Sequence, residues 1–287
     1  MSGLRQKKRY SGWFMAPTMV IFITLFILPL VISFYFSLTV WSFTDVTFVG
    51  LENFKMFLKD RALSHSLVNT FVYSFMTCGV KVVLGFFLAV YLTSHIKLKR
   101  TLRSVVFFPH LVSSVAVGIT FTALMHPSRG LINKVIQFFG GPSVNWLGDP
   151  SIALFSIIGT DVWKGLGVAT VIFISGIQAI DRTYYEAAEV DGARGLQILR
   201  YITMPLCRPA MNSVIILALV SGMKSFDLIK AMTEGGPGTA TEVIALSVYK
   251  QFAAGYYGLS TAGNVIMLVV IGLIAYPLQK FLISRED

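Results

Sequence analysis

The chain has 287 residues, of which 55% are hydrophobic and 13% charged, and its mean hydropathy is +0.71. Soluble domains carry about 25% charged residues, so this composition excludes an ordinary soluble protein and predicts a polytopic membrane protein. The formal charge of +10 would suggest a nucleic-acid partner for a soluble protein. In a membrane protein Lys and Arg instead mark cytoplasmic loops, and no nucleic-acid partner is predicted.

Six apolar runs follow one another along the chain, and six transmembrane helices are their simplest interpretation. The predicted fold class is therefore an all-α integral membrane protein. The predicted organisation is a tail at 1–12, a single transmembrane domain at 13–283 with a long loop at 181–205, and a tail at 284–287. The predicted spans are 13–38, 68–92, 105–125, 152–177, 210–225 and 260–278.

The distribution of Lys and Arg predicts the orientation of the chain. Of the 24 basic residues, 14 fall in the tails and in the loops on their side, seven fall in the opposite loops and three lie within spans. Both termini are therefore predicted to be cytoplasmic. Cys78 and Cys207 indicate two isolated thiols. The four histidines at 65, 95, 110 and 126 lack the spacing of metal ligands, so no metal site is predicted.

Several ionisable residues interrupt the apolar spans, where each costs at least about 2.5 kcal/mol on insertion scales. Such residues either line a pathway or form buried pairs. Asp161 and Lys164 lie on one helix face and could pair with each other. Lys81 could pair with Asp161 or line a cavity. Lys224 and Asp227 repeat the same spacing near the outer end of the fifth span, where Lys224 could also snorkel to the interface.

The loop between the fourth and fifth spans is predicted to hold a short helix outside the membrane. Asp181 can cap its start, and the run from Glu186 to Glu189 contains good helix formers. Gly192 offers the positive φ that ends a helix. Two interpretations remain open for this helix: docking against another protein through Ala187, Ala188 and Glu186, or resting on lipid headgroups.

At this loop the chain resembles the binding-protein-dependent ABC importer permeases. Glu186-Ala187-Ala188, Asp191-Gly192-Ala193 and 202–205 (Ile-Thr-Met-Pro) are similar to the EAA motif of that family, although the second half is one residue closer and Met204 replaces the usual Leu. The resemblance extends along the chain to carbohydrate-importing members. It includes 48–54 (Phe-Val-Gly-Leu-Glu-Asn-Phe), 69–70 (Asn-Thr), 107–109 (Phe-Phe-Pro) and 233–237 (Thr-Glu-Gly-Gly-Pro).

The resemblance implies a type I importer permease in a bacterial or archaeal cytoplasmic (inner) membrane. It also implies partners: a second, homologous permease in a heterodimer, two cytoplasmic ATPase subunits, and an extracytoplasmic solute-binding protein that delivers a saccharide. By this resemblance the ATPase-coupling residues are Tyr185, Glu186, Ala187, Ala188, Asp191, Gly192 and Ala193. The substrate pathway would include Asp161, Trp163, Lys164, Gly165, Ser221, Gly222, Lys224 and Asp227.

The chain contains no phosphate-binding G-x-x-x-x-G-K-[ST] motif, so ATP and Mg²⁺ are expected on the ATPase partners and no cofactor on this chain. If Lys164 and Lys224 both face the cavity, an acidic saccharide or a glycerol-phosphate-type substrate becomes a hypothesis. A stand-alone secondary carrier and an intramembrane enzyme are the alternatives from other classes, but neither inverted repeats nor a catalytic set is evident.

Gly235, Gly236 and Pro237 predict a sharp turn in the external loop before the last span, because paired glycines followed by proline cannot continue a helix. The family resemblance would place this loop near the outer gate and the binding protein.

Overall fold

The computed structural model describes residues 12–41, 45–94 and 97–284. The predicted tails at 1–12 and 284–287 lie outside these ranges except for Gly12 and Ser284, and so does His95. The first span is helix α1 (Trp13–Ser37). No residue of its most apolar window is buried on this chain, which places α1 at the edge of the helix bundle.

A small cap follows α1 on the side predicted to be external, and an asparagine joins the two. Strands β1 (Thr39–Trp41) and β2 (Val46–Phe48) pair antiparallel, and helix α2 (Glu52–Lys59) follows them. The buried side-chain amide of Asn53 donates hydrogen bonds to the carbonyl oxygens of Ser37 and Thr39, at 2.9 and 2.8 Å. The end of α1 is thereby fixed to the hairpin.

The second span, α3 (Arg61–Thr93), is a continuous helix that begins at a capping residue, because the Asp60 carboxylate accepts from the backbone N–H groups of Ala62 and Leu63. The third predicted span is not a straight helix. It consists of α4 (Lys99–Leu111) and α5 (Ser114–Leu124), which meet at an angle of 97°. The predicted span at 105–125 is therefore bent in its middle.

The break lies three residues after a proline. Pro109 sits inside α4 near its end and cannot donate a helical hydrogen bond. Val112 and Ser113 then adopt extended backbone, with ψ of 140° and 135°. The apolar composition of 105–125 satisfied the hydropathy criterion for a span, although the backbone turns in its middle.

The external connection to the fourth span contains α6 (Leu131–Phe138) and is organised by Asn133. Its side-chain amide donates to the carbonyl of Val144 at 2.8 Å, and its side-chain oxygen accepts from the N–H of Val144 and from Trp146 Nε1, both at 3.1 Å. The fourth span is α7 (Ala153–Gln178), an unbroken helix.

On the side predicted to be cytoplasmic, the chain forms α8 (Arg182–Val190) and then α9 (Leu196–Leu206), which contains a π-helical turn. The fifth span is α10 (Arg208–Met223), and it makes an angle of 67° with α9. On the outer side follow α11 (Asp227–Met232) and α12 (Ile244–Ala253), and the last span is α13 (Tyr257–Ile283). Four unbroken helices and two bent pairs thus correspond to the six predicted spans.

Helix α3 lies at the centre of the bundle and packs against both α7 and α10. Small residues permit these close contacts: a Cβ at Gly222 would lie 2.8 Å from Ser74 Cα, and a Cβ at Gly85 would lie 3.0 Å from Ala169 Cβ. Small residues at helix crossings are the usual solution in membranes, where packing replaces the hydrophobic effect between helices. Helices α3, α7 and α10 therefore form the rigid frame around the site.

Candidate functional site

A polar cavity lies where α3, α4, α7 and the outer end of α10 meet. Its volume is about 150 Å³. Its wall carries four charged side chains, two cationic and two anionic, which are Lys81, Lys164, Asp161 and Asp227. The remaining polar lining comes from His110, Ser114, Ser221 and Ser225.

An ion pair between α3 and α7 forms part of this wall. Lys81 Nζ lies 2.6 Å from Asp161 Oδ2, and the two side chains are 7% and 22% exposed. The prediction that Asp161 could pair locally with Lys164 is wrong, and the alternative pairing with Lys81 is confirmed. Gly165 permits the pair, because a Cβ at that position would lie 2.6 Å from Lys81 Cε.

A second, apolar cavity of about 230 Å³ adjoins the polar one. Four residues line both cavities: Lys81, His110, Gly165 and Ser221. The other lining residues of the second cavity are aliphatic. They lie on α7 and α10, one to two turns closer to the cytoplasmic loop than the residues of the polar cavity. They are Val168, Ala169, Ile172, Val214, Leu217 and Ala218.

Three of the predicted pathway residues lie elsewhere. Trp163 packs against Phe121, with ring centroids 5.1 Å apart, and does not line the cavity. Gly222 is buried at the crossing with α3. Lys224 lines a separate pocket beside Leu30 and Ser33. On this chain Lys164 and Lys224 therefore line different pockets.

Sequence analysis missed three polar residues of the cavity: His110, Ser114 and Ser225. The first two flank the break between α4 and α5. The signal was present in the sequence, since Pro109 followed by a Ser-Ser pair is typical of a break in a helix. Ser225 lies two residues after the end of α10, and its hydroxyl donates to the Tyr73 oxygen at 3.2 Å.

The predicted short helix in the cytoplasmic loop is α8, and its start and end are as predicted. The Asp181 carboxylate accepts a hydrogen bond from the N–H of Thr183 at 2.9 Å. This backbone hydrogen bond and one from the Thr183 side chain lower the pKa of Asp181. Gly192 has a φ of +79° and ends the helix, and the N–H of Ala193 donates to the Ala188 carbonyl at 2.9 Å.

The two sides of α8 differ in exposure. Ala188 is buried at 8% exposure, and the Tyr185 hydroxyl lies 3.3 Å from Thr203 Oγ1, so this side faces the body of the chain. Away from these contacts Val190 is 88% exposed and Ala187 is exposed, and the Tyr184 side chain is 55% exposed. Glu186, Asp191 and Gly192 are also exposed, and Ala193 is half-buried.

A cleft of about 680 Å³ lies between α8 and the cytoplasmic ends of α3 and α7. Tyr185, Glu186 and Glu189 line it, together with Arg182 and Thr203. Glu186 thus stands at the edge of this cleft and not in the middle of the outward side of α8.

The predicted turn at 235–237 is confirmed. Gly235 has a φ of +93°, and the N–H of Gly236 donates to the Thr233 carbonyl at 2.9 Å. The loop is held by the buried Glu242, which pairs with Lys250 at 2.7 Å and accepts from the Ser247 hydroxyl at 2.6 Å. These contacts join the loop to α12, and Asn69 on α3 joins it to the bundle, because its side-chain amide donates to the carbonyls of Thr239 and Glu242 at 3.1 and 2.9 Å.

Residues 81–286 match the family described as binding-protein-dependent transport system inner membrane component. The chain belongs to this family. It is 32% identical over 273 residues to the trehalose/maltose transport system permease protein MalF of Thermococcus litoralis, covering 94% of this chain and 92% of that protein. It is 29% identical over 275 residues to the multiple sugar-binding transport system permease protein MsmF of Streptococcus mutans, covering 93% of each chain.

The fold agrees with the family. A crystal structure of a bacterial ABC transporter involved in the import of the acidic polysaccharide alginate contains a chain similar to this one, with a TM-score of 0.84 at 21% identity, covering 95% of this chain and 96% of that chain. This binding-protein-dependent permease is therefore a multi-pass transport component and not an enzyme. Membership also decides against the secondary carrier and the intramembrane enzyme.

Proposed function

We propose that this chain is the permease subunit of an ATP-driven saccharide importer and forms one half of its translocation pathway. The observation that carries the proposal is the polar cavity at membrane depth, built from Lys81, Asp161, Lys164 and Asp227. Ionisable residues within spans mark pathways. The saccharide class is supported by relatives named for trehalose/maltose and multiple-sugar transport. A permease for a glycerol-phosphate-type substrate is the alternative.

Helix α7 joins the cavity to the cytoplasmic loop and gives the coupling a physical route. Asp161 and Lys164 lie in its outer half, and α8 begins four residues after its last residue, Gln178. At 1.5 Å per residue, the helix spans about 25 Å from Asp161 to Gln178. A displacement of α8 that is transmitted along α7 would thus move the wall that carries Asp161 and Lys164.

The coupling role is assigned to Tyr185, Glu186, Ala187, Ala188, Asp191, Gly192 and Ala193. Within this set Ala187 belongs to the outward side that would contact the ATPase, together with the exposed neighbours Tyr184 and Val190. Tyr185 and Ala188 instead anchor α8 to the chain. Gly192 supplies the left-handed backbone at its end, which residues with a Cβ rarely adopt.

The proposed assembly contains a second, homologous permease as a heterodimer partner and two cytoplasmic ATPase subunits that bind ATP and Mg²⁺. An extracytoplasmic solute-binding protein delivers the saccharide near the loop that contains Gly235, Gly236 and Pro237. The proposed location is the cytoplasmic (inner) membrane, with both termini in the cytoplasm. No cofactor is assigned to this chain.

Affinity purification of the tagged chain from native membranes tests the proposal. A second permease and an ATPase should co-purify, and the reconstituted complex should hydrolyse ATP faster when a saccharide-loaded binding protein is added. Isolation of the chain alone, with uptake that needs no ATP, would contradict the proposal and favour a secondary carrier.

A further inference from the structure

The charges around the polar cavity are balanced, and half of them are already paired. Lys81 and Asp161 neutralise each other at 2.6 Å. The other ion pairs among the described residues are Glu52–Lys55, Lys230–Glu234 and Glu242–Lys250, so Lys164 and Asp227 take part in none. Both line the cavity. The wall therefore presents one unpaired ammonium group and one unpaired carboxylate.

Two unpaired charges of opposite sign favour a particular kind of ligand. An ammonium group donates hydrogen bonds, and a carboxylate accepts them. A sugar hydroxyl does both, so neighbouring hydroxyls of one neutral saccharide satisfy Lys164 and Asp227 together. An acidic saccharide would be attracted by Lys164 but repelled by Asp227. Its charged group would also give up its hydration on entering the cavity, and the wall offers no net opposite charge to compensate for that loss.

Lys224 does not change this balance, because it lines the separate pocket beside Leu30 and Ser33. The serine hydroxyls of Ser114, Ser221 and Ser225 add neutral hydrogen-bonding groups to the same wall. We infer that this chain's part of the cavity selects an uncharged saccharide, with Lys164 and Asp227 as the groups that bind its hydroxyls. The inference rests on the proposed transport function and gives it a substrate class.

Ligand binding to the reconstituted, nucleotide-free complex without the binding protein tests this inference, because the binding protein's own selectivity is then removed. Saturation-transfer difference NMR detects such weak binding. The probes are neutral glucose oligosaccharides of one to four units and uronate oligosaccharides of the same lengths. The wild-type complex should bind the neutral series about tenfold more tightly, the size of one charged hydrogen bond.

Charge variants of the two residues supply the sharper result. Asp227→Asn makes the wall cationic and should shift the preference about tenfold toward uronates. The exchanged pair Lys164→Asp with Asp227→Lys keeps the balance and should keep the neutral preference. Lys224→Gln is the matched control, since it removes a lysine outside the cavity and should leave the preference unchanged.

Equal or tighter binding of uronates to the wild-type complex would overturn the inference, and so would an unchanged preference in Asp227→Asn. A failure of the proposed function would give a different result. In that case no saccharide of either series binds, and none stimulates ATP hydrolysis by the complete complex with its binding protein.

Discussion

Gly165 controls how the central ion pair is formed. The Lys81 side chain crosses from α3 to α7 through the space where residue 165 would carry a Cβ, at 2.6 Å from that position to Cε and 2.8 Å to Nζ. Any larger residue would require the Lys81 side chain to shift from this position. The pair therefore depends on three residues from two helices and not on the charges alone.

Removal of one member of this pair should destabilise the chain. Lys81→Met leaves the Asp161 carboxylate without its partner, and breaking a buried pair in this way costs about 3–5 kcal/mol. Lys81→Met combined with Asp161→Asn should recover most of that loss, because no charge is then left unpaired. Thermal unfolding of the purified complex in detergent measures the stability of the single and the double variant. If the double variant loses the sum of the single losses, the two residues are not coupled.

At the scale of the element, α8 is a short helix whose two neighbouring alanines face in different directions. Ala188 is buried against the chain, whereas Ala187, about 100° further round the helix, is exposed. The sequence motif contains both alanines and does not distinguish between them. Their positions instead divide the motif into a residue that holds the helix and a residue that is free to contact a partner.

This division predicts different effects for the same substitution. Ala187→Leu should leave the stability of the permease unchanged but abolish saccharide-stimulated ATP hydrolysis, because the larger side chain keeps the ATPase surface away from α8. Ala188→Leu should lower the stability by about 1–3 kcal/mol through overpacking. Thermal unfolding and ATPase assays on each complex check both results. Wild-type coupling in Ala187→Leu would exclude docking through this side.

At the scale of the whole molecule, the bundle places its loops on two sides that can be probed separately. The native thiols are buried, with Cys78 7% and Cys207 0% exposed. Gln137 on α6 and Arg194 after α8 are both exposed on this chain. In the proposed orientation these two residues lie on opposite faces of the membrane.

A membrane-impermeant maleimide should therefore label Gln137→Cys in intact cells. Arg194→Cys should be labelled only after the membrane is opened, and the wild-type chain should not react in either condition. Labelling of Arg194→Cys from outside would reverse the proposed orientation. The comparison of the two variants within one experiment controls for expression and access of the reagent.

Sequence reasoning worked best where local chemistry decides the structure. The start of α8 at Asp181 and its end at Gly192 were predictable, because capping and positive φ are properties of single residues. It failed where tertiary packing decides: Asp161 could pair with Lys164 on its own helix or Lys81 on another, and only the closeness of α3 and α7 at Gly165 selects Lys81. Hydropathy likewise could not detect the bend after Pro109, since both halves of that span are apolar.

The bend between α4 and α5 has a consequence for solvent. The first backbone N–H groups of α5 have no carbonyl partner within the helix, as at any helix start. Hydrocarbon cannot satisfy them, so irregular backbone at membrane depth occurs where it is covered by protein or faces water. Ser114, the first residue of α5, lines the polar cavity. We therefore expect ordered water there before any sugar arrives. A saccharide that enters the cavity would then pass from bulk water to ordered water and would not contact the lipid tails.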